Sequence, residues 1–238
     1  MSNNNQEAFE VGAFKRVIKG KTVLVQCDNR LETQAEWLLK TIEDISEETN
    51  DALRDGWTLE IGFSVLALVE RDGMFVVCEP DYDDDPFENV VEDVSRSLWV
   101  VVMQNEVGEV TGSSEYFKIP RFDETIVLRK GVLEEERIVL QRDEAEEEEN
   151  GVEGAEIVDS GWYIGGEDDD EEGSDDEEDY EACYVYELLE SRPMLLSVLA
   201  LPTGYVAVFD GEDIEAIYDE EDENVWNPAD DDQQDGKK

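Results

Sequence analysis

From Glu167 to Glu181 the chain carries twelve carboxylates and not one basic residue. Charge at that density stays in water, so any fold built around it must hold the run outside its core. The flanks have the opposite character. Before the run, Ser160-Gly161 is a turn signal, Trp162-Tyr163-Ile164 reads as a short strand of bulky residues, and Gly165-Gly166 stops it. After it, Cys183, Val185, Leu188 and Leu189 recur at helical spacing. Leu195, Leu196, Leu199 and Ala200 do the same beyond Pro193, a residue suited to the first turn of a helix. Pro202-Thr203-Gly204 ends that pattern, and Tyr205–Phe209 with Ile214–Tyr218 reads as a hairpin about Asp210-Gly211. The expectation is an apolar, turn-rich lobe over 157–223 interrupted by an acidic insert at 167–181.

The remainder reads as a second set of strands and helices. Lys21–Cys27 is a strand. Thr33 and Glu36 have capping-box spacing, and Ala35, Leu38, Leu39, Ile42 and Ile45 form the apolar stripe of a helix running to about residue 53. Trp57–Gly62, Phe63–Glu70 and Met74–Cys78 read as a meander packed on that helix. A second helix is expected from Glu88 to about Val107, stopped by Gly108, followed by strands at Thr125–Leu128 and Arg137–Leu140. The predicted fold class is α+β, with two small lobes of antiparallel sheet and packed helices, an acidic disordered insert and a disordered tail. The N-terminal lobe is placed at 1–142, an acidic linker at 143–156 and the acidic tail at 224–238.

The net charge is −48, and it is not confined to the runs. Without 143–149, 167–181 and 219–238 the chain still holds 39 acids against 16 bases, a net of −23. Such a surface repels nucleic acid and anionic membranes and attracts basic proteins. Three widely spaced cysteines, Cys27, Cys78 and Cys183, read as free thiols of a reducing compartment. The opening MSNNNQEAFEVG has no export-signal pattern, and no apolar run has the length of a membrane span. A cytoplasmic location is expected.

The chain has no histidine, which removes the commonest general base and most zinc sites. It has no glycine-rich phosphate loop. Asp168, Asp170, Glu172, Gly173 and Asp179 fall at calcium-loop spacing, as do Asp81, Asp83, Asp85 and Glu92. The first set lacks the apolar anchor and flanking helix pair, and the second has Pro86 where glycine belongs. Neither reads as a metal site. No catalytic residues, metal or cofactor are expected, and the chain reads as a non-enzyme.

The succession SGWYIGGE, an acidic gap, LALPTGY and VFDGEDIEAIYDE resembles the bacterial immunity protein 33 family over about 159–221. The resemblance rests on Gly161, Trp162, Gly165, Glu167, Leu201, Pro202, Gly204, Tyr205, Asp210, Ile214 and Tyr218. A looser similarity runs upstream through DGWTLEIGFSVLALVERDG and VVCEPDYDDDPF. The resemblance implies a protein that binds and neutralises a cognate bacterial toxin. The acidity implies that this toxin is basic, because enzymes that hold phosphates carry basic surfaces. The candidate partner-binding residues are Trp162, Tyr163, Glu167, Asp168, Asp169, Asp170, Tyr205, Asp210, Glu212 and Asp213. The alternative reading is an acidic adaptor or chaperone for a basic secreted effector.

Overall fold

The structure, a computed structural model, describes residues 10–49, 53–145, 158–166 and 179–228. It forms two units that divide between Val101 and Val102.

In the first unit, β1 (Val11–Ile18) and β2 (Lys21–Asp28) form a hairpin about Lys19-Gly20, both at positive φ. Two left-handed residues match the twist of the strands they join. The helix α1 (Glu32–Glu48) follows, packed on β1 and β2, with Ala35, Leu38, Leu39 and Ile42 all buried. The meander β3 (Trp57–Ile61), β4 (Ser64–Arg71) and β5 (Met74–Pro80) turns at Gly62-Phe63 and Asp72-Gly73. Its first turn divides what reads on sequence as one continued extended run. The sheet order is β1-β2-β5-β4-β3, with β2 and β5 parallel and the short β6 (Val90–Val91) paired to β5.

The second helix, α2 (Ser95–Thr111), starts seven residues later than the expected start at Glu88. Side-chain oxygens hold the preceding stretch out of a helix. Asp85 accepts from Phe87 N at 3.0 Å, and Asp93 accepts from Ser95 N at 3.0 Å at the helix start. The expected stop at Gly108 lies inside the helix. Its missing side chain makes room instead, since a Cβ there would sit 2.2 Å from the Phe117 ring, and the helix ends at Gly112 with φ +70°. The division between the units falls within α2.

The second unit holds β7 (Thr125–Arg129), β8 (Arg137–Arg142), β9 (Asp159–Gly166), β10 (Tyr180–Tyr184), the one-turn helix α3 (Leu188–Ser191), β11 (Val206–Asp210) and β12 (Asp213–Tyr218). The order is β10-β7-β9-β8-β11-β12, and β7–β9 is the parallel pair. The fold is α+β, with two mixed, mostly antiparallel sheets.

Three sequence expectations are corrected here. The division does not fall in 143–156: β7 and β8, placed on sequence in the N-terminal lobe, hydrogen-bond to β9 from both sides. Tyr180–Tyr184 is an edge strand paired with β7, not the start of a helix. The first residues of the expected tail are engaged with β12, where Val225 N donates to Ile217 O at 2.8 Å and Asn224 bridges Tyr218. Most of the linker (146–156), the first residue of the lobe after it (157), most of the insert (167–178) and the end of the tail (229–238) lie outside the described residues. Among the described residues no helix is long and apolar enough to cross a membrane.

Candidate partner-binding surface

The Ser160-Gly161 turn signal is a bulge inside β9, which runs on both sides of it. Between the pairs Thr125↔Asp159 and Val127↔Tyr163, β9 advances four residues while β7 advances two. Ser160 Oγ donates to Thr125 O at 2.7 Å, and Gly161 N donates to Asp159 Oδ1 at 3.0 Å. Gly161 has φ +75°, and a Cβ there would sit 2.4 Å from Asp143 O. No other residue fits that position. The bulge turns Trp162 inward.

Trp162 is 1 % exposed and donates from Nε1 to Leu199 O at 3.0 Å. Trp162 is therefore an anchor of the core and not the accessible partner contact expected from the sequence. Beside it lies Arg142, 6 % exposed, its guanidinium 5.6 Å from the Trp162 ring centre. Arg142 donates to Leu201 O at 2.7 Å, Leu199 O at 3.2 Å and Ser160 O at 3.3 Å, and also to Lys118 O. Carbonyls at the end of a helical turn have no partner within it, and the guanidinium fork supplies several at once. The backbone completes the clasp: Gly204 N donates to Arg142 O at 2.8 Å and Arg142 N to Tyr205 O at 3.0 Å. Burial lowers the Arg142 pKa to about 10, opposed by the Glu124 carboxylate, so the cation survives at neutral pH. The two ends of the SGW…LALPTGY pattern thus meet on one arginine that the sequence reading did not single out.

Arg192, 12 % exposed in its side chain, plays the same part for the β11–β12 hairpin. It donates to Leu133 O at 3.1 Å, Glu135 O at 3.0 Å and Gly211 O, and sits 3.4 Å from the Glu212 carboxylate. It pins the tip while Asp210, Glu212 and Asp213 remain exposed. These three acids are brought together as the sequence suggests. Tyr205 is half-buried, and burial, then Asp219 and Glu220, raises its phenol pKa. It stands before the opposite end of β11 from Asp210, about 16 Å away along an extended strand. Tyr163 is half-buried, with its ring 6.1 Å from that of Tyr180. Glu167, Asp168, Asp169 and Asp170 lie outside the described residues.

The acidic loop of the first unit spends its carboxylates locally. Asp83 pairs with Arg96 at 2.8 Å and Glu92 with Arg71 at 2.8 Å, while Asp81 and Asp85 accept from loop backbone. Among the described residues no three His, Cys, Asp or Glu side chains are grouped to hold a metal. Glu79 is 2 % exposed and accepts from Ser97 N at 2.8 Å in the first turn of α2, and burial pushes its pKa up to about 7. The cysteines are free; burial raises Cys27 and Cys183 to about 12 and Cys78 to about 11, which leaves them as inert thiols.

The family model for the Imm33-like domain matches residues 103–226. The match begins in α2 one residue after the boundary of the second unit and ends with the segment laid along β12. It takes in Arg142, the bulge, the pinned hairpin and β7–β8; the looser upstream similarity lies outside it. No curated protein and no solved structure matches the chain. With more than half of its length matched by that family model, the chain belongs to the Imm33-like family of immunity proteins.

Proposed function

We propose that the chain binds and neutralises a cognate bacterial toxin in the cytoplasm, without catalysis, and that this toxin presents a basic surface. The Imm33-like domain carries the reading, since immunity proteins act on a toxin partner. The acidity supports the sign of the partner. Asp210, Glu212 and Asp213 stand exposed on a tip held by Arg192, in a chain of net charge −48. Fixed like charges around a contact site speed encounter with an opposite surface and reject wrong partners.

The test is co-expression with the protein encoded beside this chain, scored by survival and by co-purification. Survival with a stable complex supports the reading. The association rate of that complex is then expected to fall on the order of tenfold or more as salt rises from low to high ionic strength. A neighbour that kills and is neither bound nor neutralised contradicts it. A harmless neighbour that binds and is exported supports the acidic adaptor reading instead.

A further inference from the structure

The sheet of the second unit has two unlike faces. One buries Ile126, Leu128, Ile138, Leu140, Ile164 and Phe209. On the other, register sets Val127 beside Tyr163 and Val139 beside Val208, and a row from Tyr163 through Gln141 and Val206 ends at Tyr218. Tyr180, on the edge strand, reaches Tyr163 ring to ring. Val127 is 40 % exposed, and Val139, Val208, Tyr163, Tyr180 and Tyr218 are half-buried. A sheet face that only meets water is ordinarily polar. This one carries four valines (Val127, Val139, Val206 and Val208) and three tyrosines, an apolar patch studded with the residue type that is enriched at the centre of protein interfaces and orders there at little cost.

Its charges are arranged for one sign of partner. The two arginines on this face are each engaged by an acid of the same unit, Arg129 with Glu135 and Arg137 with Glu215. Asp210 and Asp213, paired across the end of β11–β12 on the same face, are exposed. Asp143 stands beyond the opposite end of β8, where its carboxylate accepts from Gln141 Nε2 at 3.1 Å. An apolar, tyrosine-bearing centre is thus framed at both ends by carboxylates.

We propose that this open face is the surface on which the toxin docks, receiving apolar side chains at Val127, Tyr163 and Val208 and lysines or arginines at the two acidic ends. The proposal rests on the toxin reading and deepens it, moving the centre of the contact from the acidic tip to the sheet. Tip acids steer the encounter, and the valines and tyrosines hold the complex.

The experiment measures binding of full-length variants to the protein encoded beside this chain, by calorimetry, with thermal midpoints taken in parallel. Val127→Arg and Val208→Arg are each expected to weaken binding by about 100-fold. Val127→Glu is expected to weaken it less at low salt than Val127→Arg, because the partner is basic. Val17→Arg, on the exposed β1 of the first unit (Val17 is 68 % exposed), is expected to bind as wild type. Where arginine lowers the midpoint, Tyr180→Ala and Val127→Thr only trim the face and are expected to weaken binding about tenfold. Face variants that bind like wild type overturn the proposal and leave the toxin reading standing. A wild-type chain that does not bind overturns both. A wild-type dimer in sedimentation equilibrium that Val127→Arg dissociates assigns the face to a second copy and overturns it as well.

Discussion

Arg142 sits where the alternation of β8 points to the core, on the same side as Ile138 and Leu140. That alternation was legible in the sequence, but its meaning was not, because the carbonyls that justify a buried cation belong to Lys118, Ser160, Leu199 and Leu201 and converge only in three dimensions. Replacing Arg142 with Met keeps the stem and removes every donor. The expected loss is about 3–5 kcal/mol of stability in urea denaturation, because the carbonyls stay buried without partners. Arg142→Lys is expected to recover less than half of it, since one ammonium cannot reproduce the fork. Loss below about 1 kcal/mol in the Met variant would mean that the clasp on 199–205 is held by packing alone.

Glu79 titrates in the opposite sense from a paired carboxylate. Its folded pKa, about 7, lies above its ordinary 4.5, so the folded chain keeps a proton that the unfolded chain has released. The stabilisation is present below pH 4.5 and is lost as pH rises through about 7. Other carboxylates change charge over the same range, so the informative quantity is the difference from Glu79→Gln, which still accepts from Ser97 N. Between pH 4.5 and 8 the wild type is expected to lose about 3 kcal/mol relative to that variant. A difference that does not change with pH contradicts the burial of an ionisable group there.

At the scale of elements, what local pattern encodes was legible and what pairing decides was not. The α1 stripe, the Asp72-Gly73 turn and the hairpin about Gly211 follow from spacing and turn chemistry. β10 does not, because Cys183, Val185, Leu188 and Leu189 mimic a helical period across the end of a strand and the start of a turn. The domain boundary misleads for a related reason. The acid run at 143–149 looks like a separator, yet it falls in a connection within one sheet, between β8 and β9, while the run that begins at 167, expected as an insert within one lobe, follows β9 and leads into β10 of the same sheet. Lengthening a surface connection adds little to the entropy of closing it, so a sheet can carry solvated inserts that composition alone reads as linkers. The candidate site was legible in the same measure: the acids at Asp210, Glu212 and Asp213 cluster as their hairpin implies, while Trp162 is taken inward by the bulge. The pin on that hairpin can be removed singly. Arg192→Ala is expected to cost about 2 kcal/mol and to raise amide exchange first at Gly211–Asp213, ahead of β8 and β9. Uniform exchange across the sheet would show that the tip and the sheet open as one.

At the scale of the whole molecule, charge acts twice and with opposite signs. A chain of −48 repels itself when folded, and added salt screens that repulsion. The free chain is therefore expected to gain thermal stability with salt over the range in which its complex with a basic toxin loses association rate. Equal signs for the two effects would remove charge from the binding account.

The most direct measurement of the central claim is a titration of the purified chain into the purified protein encoded beside it, the proposed toxin, following the activity by which that protein is toxic. Binding without catalysis has a definite signature: inhibition rises linearly and is complete at one chain per toxin, whatever the incubation time. Inhibition that is complete at a small fraction of that ratio and grows with time would contradict it, because only turnover by the chain produces that result.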